Sequence, residues 1–141
     1  MPKNSNLAKS LAELQSFEKQ AKRLALTPTS YKAERAVLQL LNDVGYTQDE
    51  TQKLVLRQTK AHVGEEAAAS LTKLQSDRAF RLASVVLMAN RVFGETEKAF
   101  MWLRRPNKLL DGKMPISSLE TEAGSRAVED ILIRIDHGIA A

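Results

Sequence analysis

Apolar residues recur along this chain at steps of three and four. Leu7, Leu11, Leu14, Phe17, Ala21 and Leu24 follow that rhythm, the spacing of one helical face, so an amphipathic helix is expected over residues 6–25. Lys19, Lys22 and Arg23 share its polar side. Residues 27–30 read T-P-T-S, where Pro28 stops one helix and Ser30 can cap the next. Val37, Leu38, Leu41 and Val44 line that next helix, and Gly45 ends it. Thr47 with Glu50 three positions on spells a capping box, which starts a short helix through Leu54, Val55 and Leu56. A turn at 57–59 leads into a second short segment, 60–69.

The most apolar helix is expected over 76–93, where Phe80, Leu82, Val85, Val86, Ala89 and Val92 should be buried nearly all round. Gly94 terminates it, and residues 96–104 form a further helix with Phe100 and Trp102 as core anchors. Pro106 and Pro115 bracket a loop at 107–114, pinned by Leu109, Leu110 and Gly112. Thr121 then caps the last helix, and Gly138 stands where a C-cap glycine belongs. Within it Ala127, Val128, Ile131, Leu132 and Ile135 make one buried face, with Arg126, Glu129, Asp130 and Arg134 opposite. Ile133 falls off the apolar stripe, and together with Ile139 it offers a surface for a partner. No period-2 run is long enough for a substantial sheet, so the fold expected is all-α, a compact helical protein.

Composition limits the rest. The chain has 141 residues, 43% of them hydrophobic and 27% charged, which suits an ordinary globular chain. No apolar run approaches the roughly 20 residues that span a bilayer, and the amino terminus has no apolar leader, so a cytoplasmic location is expected. Without cysteine there are no disulfides and no thiolate metal site, and with two distant histidines no protein-only metal site is expected. Phosphate-binding glycine loops, H-E-x-x-H and nucleophile elbows are absent from the sequence, so neither an enzyme nor a cofactor is expected.

The net charge of +4 lies entirely in the first half: up to Lys60 there are ten Lys/Arg against six Asp/Glu, and eleven of each follow. A basic excess of this size can mark a nucleic-acid face. Two short helices joined by a turn have the outline of a helix-turn-helix. Its second helix, however, would carry Gly64 mid-way and Glu65 and Glu66 where phosphates would be repelled. The residues best placed to touch DNA are Lys19, Lys22, Arg23, Thr59, Lys60 and His62; the alternative is a set of solvated side chains.

In the C-terminal half a long series of short motifs stands in order. It runs F-G at Phe93 and Gly94, E-K-A at 97–99, W-L at Trp102 and Leu103, P-N at Pro106 and Asn107, L-x-G at 110–112 and Pro115. It closes with T-E-x-G at 121–124, V-E-D at 128–130 and R-I-x-H-G at 134–138. This series resembles the toxin-binding domain of antitoxins of the Xre/MbcA/ParS type. The resemblance implies three parts: an N-terminal amphipathic helix at 1–28, a helix-turn-helix-like Xre-like region at 29–75 and a toxin-binding domain at 76–141. It further implies an antitoxin that neutralises a neighbouring RES-type, NAD-consuming toxin and represses its own operon through operator DNA. Self-association as a homodimer is expected from the heptad-like seam running from Leu7 to Leu24, which has too little chain around it to be fully covered by one small domain. The alternative is a DNA-binding regulator without a toxin. On the family pattern the toxin would meet Arg126, Glu129, Asp130, Ile133, Arg134, His137, Gly138, Ile139, Ala140 and Ala141, with the chain end entering the toxin's NAD pocket.

Overall fold

The structure is a computed structural model that describes residues 2–24, 33, 35–57 and 70–139, with side chains of the first segment described over 6–23. The described residues are helical, as the periodicity predicts, and contain no sheet. The elements are α1 (Pro2–Leu24), α2 (Val37–Val44), α3 (Gln48–Thr51) continued by a π-helical turn (Gln52–Leu56), α4 (Lys73–Phe93), α5 (Thr96–Leu103), a 3₁₀ turn (Lys108–Leu110), α6 (Pro115–Ser118) and α7 (Glu122–Asp136). They form two compact units, Met1–Ala83 and Ser84–Ala141, and α4 contributes its first half to one and its second half to the other.

In the first unit part of the leucine seam of α1 is used within the chain. α1 packs along α2, and Leu14 and Phe17 are buried, as are Val37, Leu41 and Val44 of α2. Leu7 and Leu11 stay half-covered. A polar clasp accompanies the seam, with Ser10 Oγ 3.3 Å from Asp43 Oδ2. The Thr47 capping box forms as the sequence predicts: Glu50 N–H donates to Thr47 Oγ1 at 3.1 Å, and Thr47 N–H donates to Glu50 Oε1 at 2.8 Å. The break at Pro28 and Ser30, and the helix expected over 60–69 with Gly64, Glu65 and Glu66, lie outside the described residues.

Helix α4 begins earlier than the apolar pattern predicts. Its start is a second capping box, in which Gln75 N–H donates to Thr72 Oγ1 at 3.1 Å and Thr72 N–H to Gln75 Oε1 at 3.0 Å. Ser76, expected at the helix start, is instead buried in its first turn, where its Oγ donates to Thr72 O and accepts from Ala33 N–H at 2.7 Å. Leu82, Val85, Val86 and Ala89 are fully buried, whereas Phe80 and Val92 are only half-covered. Tyr46, which no periodicity singles out, is buried and donates its hydroxyl to Leu82 O at 2.8 Å.

In the second unit Phe100 is the buried aromatic of α5, with the Arg104 guanidinium 4.7 Å above its ring. Trp102, expected in the core, is half-covered and packs on Phe93 with centroids 5.6 Å apart. The 107–114 loop is pinned differently from the sequence expectation. Leu109 is 50% exposed, and the loop is organised by Asn107. Its N–H donates to Lys113 O, its carbonyl accepts from Leu110 and Gly112 N–H, and its side chain accepts from Leu109 N–H at 2.9 Å. Asp111 and Gly112 turn the chain back at φ 56° and 80°.

Two substitutions test this packing. A methyl on Gly124 would lie 1.9 Å from Ser118 O, so the start of α7 fits against the end of α6 only without a Cβ. In an open helix Gly→Ala stabilises by roughly 1 kcal/mol; here Gly124→Ala should destabilise by about 1–3 kcal/mol through overpacking, read as a lower denaturant midpoint. Tyr46→Phe removes a buried hydrogen bond to Leu82 O and should cost about 1 kcal/mol. An unchanged midpoint in either variant would contradict the contact concerned.

Candidate functional site

Helix α7 is built to show two opposite faces. Thr121 Oγ1 accepts from Gly124 N–H at 2.9 Å, which caps the first turn, and Glu122 sits at the positive end of the helix. Ser125, Val128, Ile131 and Leu132 are buried, with Ala127 and Ile135 half-buried beside them. This is the inward stripe that the sequence predicts. Two fully buried side chains, Val128 and Leu132, anchor it, each contributing about 1.5–3 kcal/mol by leaving water.

The helical rotation places the proposed contact residues on the other side. Arg126, Asp130, Ile133 and His137 stand at i, i+4, i+7 and i+11, so they form one stripe, with Glu129 and Arg134 on its two margins. Together they cover about 140° of the helix circumference. Arg126, Asp130, Ile133, Arg134 and His137 are exposed, and Glu129 is half-covered. Ile133 is 45% exposed in the middle of this charged surround. Arg126 and Glu122 pair at 2.6 Å across one turn, with both side chains largely in solvent. An exposed pair of this kind contributes little to folding.

The helix ends in a Schellman turn. Gly138 takes φ 75°, Gly138 N–H donates to Ile135 O at 3.0 Å, and Ile139 N–H reaches back to Arg134 O at 2.8 Å. In this motif the residue after the glycine folds over the last turn, next to the position that Ile133 occupies. Ile139 is 58% exposed. Through Ile139 the backbone is therefore tied to the helix end; Ala140 and Ala141 lie outside the described residues. Arg134 and His137 stand at the negative end of the helix, where cationic side chains are favoured. The glycine turn at 138 stands where the sequence predicts the helix to end.

The expected DNA contacts divide. Lys19, Lys22 and Arg23 are exposed together on the polar side of α1, with Lys22 Nζ 3.9 Å from Glu18 Oε1. Thr59, Lys60 and His62 lie outside the described residues. Among the described residues no group of three or more His, Asp or Glu is placed to hold a metal, and no helix is long and apolar enough to cross a membrane.

Comparison with known proteins bears on the α7 surface. Residues 88–138 match the family described as the antitoxin Xre/MbcA/ParS C-terminal toxin-binding domain, a span that includes all of α7 and its terminal glycine. A Pseudomonas putida protein named antitoxin Xre is 39% identical over 87 residues, covering 62% of this chain and 54% of its own length. An antitoxin Xre of Yersinia enterocolitica is 38% identical over 69 residues, 48% of this chain and 47% of its own. The chain thus spans about half the length of the curated relatives it matches.

Proposed function

We propose that this chain, whose residues 88–138 match the toxin-binding domain of Xre/MbcA/ParS-type antitoxins, is such an antitoxin and binds and neutralises a cognate toxin of a toxin–antitoxin pair. The observation that carries the reading is the exposed stripe of α7. An isoleucine stands open to solvent among charges of both signs, opposite a well-buried face, inside the matched span. A folded helix gains nothing from exposing Ile133 and Ile139 together, whereas a partner that covers them gains apolar burial at the centre of a polar rim.

The toxin in this proposal is of the RES type, an NAD-consuming enzyme, as the family resemblance implies. The stripe from Arg126 to His137, with Gly138, Ile139, Ala140 and Ala141, lies across the mouth of its active site. Arg126 and Arg134 meet acidic groups of the toxin, Glu129 and Asp130 meet basic ones, and Ile133 fills an apolar depression between them. The Schellman turn supports this arrangement because it presents Ile133 and Ile139 on backbone already ordered before binding, which lowers the ordering cost of association.

Repression of the operon is a second part of the proposal, supported by the exposed Lys19, Lys22 and Arg23 of α1. A DNA-binding regulator with no toxin partner would use that face and leave the α7 stripe without a role. Self-association as a homodimer keeps narrower support than the leucine spacing suggested, because Leu14 and Phe17 are covered within the chain, and among the described residues of the seam Leu7, Leu11 and Ala21 are half-covered.

Co-expression with the product of the adjacent toxin reading frame tests the reading. Ile133→Glu should leave the melting temperature within the range of an ordinary surface change, yet weaken toxin binding by about 10- to 100-fold, as expected for a central interface anchor. Full neutralisation by that variant, at unchanged affinity, would overturn the assignment of the stripe.

A further inference from the structure

The α7 surface is small for the partner proposed for it. An interface of standard size draws on roughly 20–30 residues a side, and one face of a 15-residue helix with its terminal turn falls well short of that. A stable complex therefore needs a further surface of the chain. In the second unit the loop that joins α5 to α6 has the properties of one.

This loop is ordered by its own backbone. Asn107 N–H donates to Lys113 O at 3.0 Å and Gly112 N–H donates to Asn107 O at 2.9 Å, which closes residues 107–113 into a ring. Lys113 N–H donates to Leu110 O at 3.1 Å, and Asn107 Oδ1 accepts from Leu109 N–H inside it. Asn107 supplies the one side chain in these bonds. The ring holds Leu109 50% and Met114 38% exposed, so neither apolar side chain serves to pin the loop to the core.

The charges around them are one-sided. Arg105, Lys108 and Lys113 are exposed, and among the described residues none of the three pairs with a carboxylate. Asp111 is the one carboxylate of residues 104–114, while Arg104 is engaged over the ring of Phe100. Open apolar side chains set among cations, on a backbone ordered before binding, suit a partner that is acidic around an apolar depression. The loop also adjoins the α7 surface. Only α6, four residues and about 6 Å long, separates it from the start of α7, where Gly124 meets Ser118.

We propose that the loop at 105–114 is a second toxin-binding surface, which takes an acidic, partly apolar patch of the cognate toxin beside the mouth that α7 covers. It rests on the toxin reading of α7 given above. Lys108 and Lys113 attract the acidic rim, Leu109 and Met114 enter its apolar part, and Arg105 extends the positive edge at the end of α5.

The test measures association of the full chain with its toxin for the parent, Lys108→Glu/Lys113→Glu, Leu109→Ser and Ile133→Glu. Both loop variants should melt within the range of ordinary surface changes, because neither the ring of hydrogen bonds nor the core uses the altered side chains. Lys108→Glu/Lys113→Glu should weaken toxin binding by about 10- to 100-fold, mainly through slower association, and flatten its dependence on salt. Leu109→Ser should weaken it by about tenfold through faster dissociation. If both loop variants bind like the parent while Ile133→Glu does not, the loop surface is overturned and the α7 reading stands. If all three variants bind like the parent, or the parent does not bind the toxin, both are overturned. Loop variants that lose affinity for a DNA duplex but not for the toxin would assign the loop to nucleic acid and likewise overturn the proposal.

Discussion

The burial of the middle of α4 on every side is the constraint on which the rest of the fold depends. Ala79, Leu82, Ala83, Val85, Val86 and Ala89 lose essentially all contact with water. A helix can be covered so completely only if other elements pack around its whole circumference. The first half of α4 is held in the Met1–Ala83 unit, where Tyr46 reaches a carbonyl of the helix itself. Its second half lies in the Ser84–Ala141 unit, where the ring of Phe93 meets Trp102 of α5. Each fully buried valine or leucine contributes about 1.5–3 kcal/mol, a large share of the marginal stability of a chain this size.

Function then falls to what this burial leaves over. In α7 the inward stripe is used up by packing, and the start of the helix is fixed against Ser118 by a position where only glycine fits. The outward stripe is free to be chosen for another purpose. Ile133 and Ile139 are not needed to fold the helix, and the turn at Gly138 holds them at one end of it. The match of residues 88–138 to a toxin-binding domain agrees with a surface that is rigid in backbone and incomplete in burial.

Much of this arrangement was legible in the residues, because it depends on local rules. The helical spacing of Leu14 and Phe17, the Thr47 box, the Thr121 cap and the Gly138 turn each need only a few neighbours in sequence. The inward and outward stripes of α7 follow from one rotation per residue. The Thr72–Gln75 box is equally local, but it lies ahead of the apolar pattern of α4, which gives no sign of it. What could not be read depends on distant partners. The role of Tyr46 is set by a carbonyl 36 residues away, the need for glycine at 124 by the path of α6, and the half-exposure of Trp102 by the placement of Phe93.

The central claim is that the outward stripe of α7 and its terminal turn are the toxin-binding surface. Amide hydrogen exchange of the full chain, alone and bound to its toxin, tests it most directly, since the ends of helices open most readily in the free protein. The account predicts slower exchange over residues 126–139 on binding, greatest in the last turn at 134–139, with no change over 7–23. Slower exchange confined to the first unit, with α7 unaltered, would contradict it.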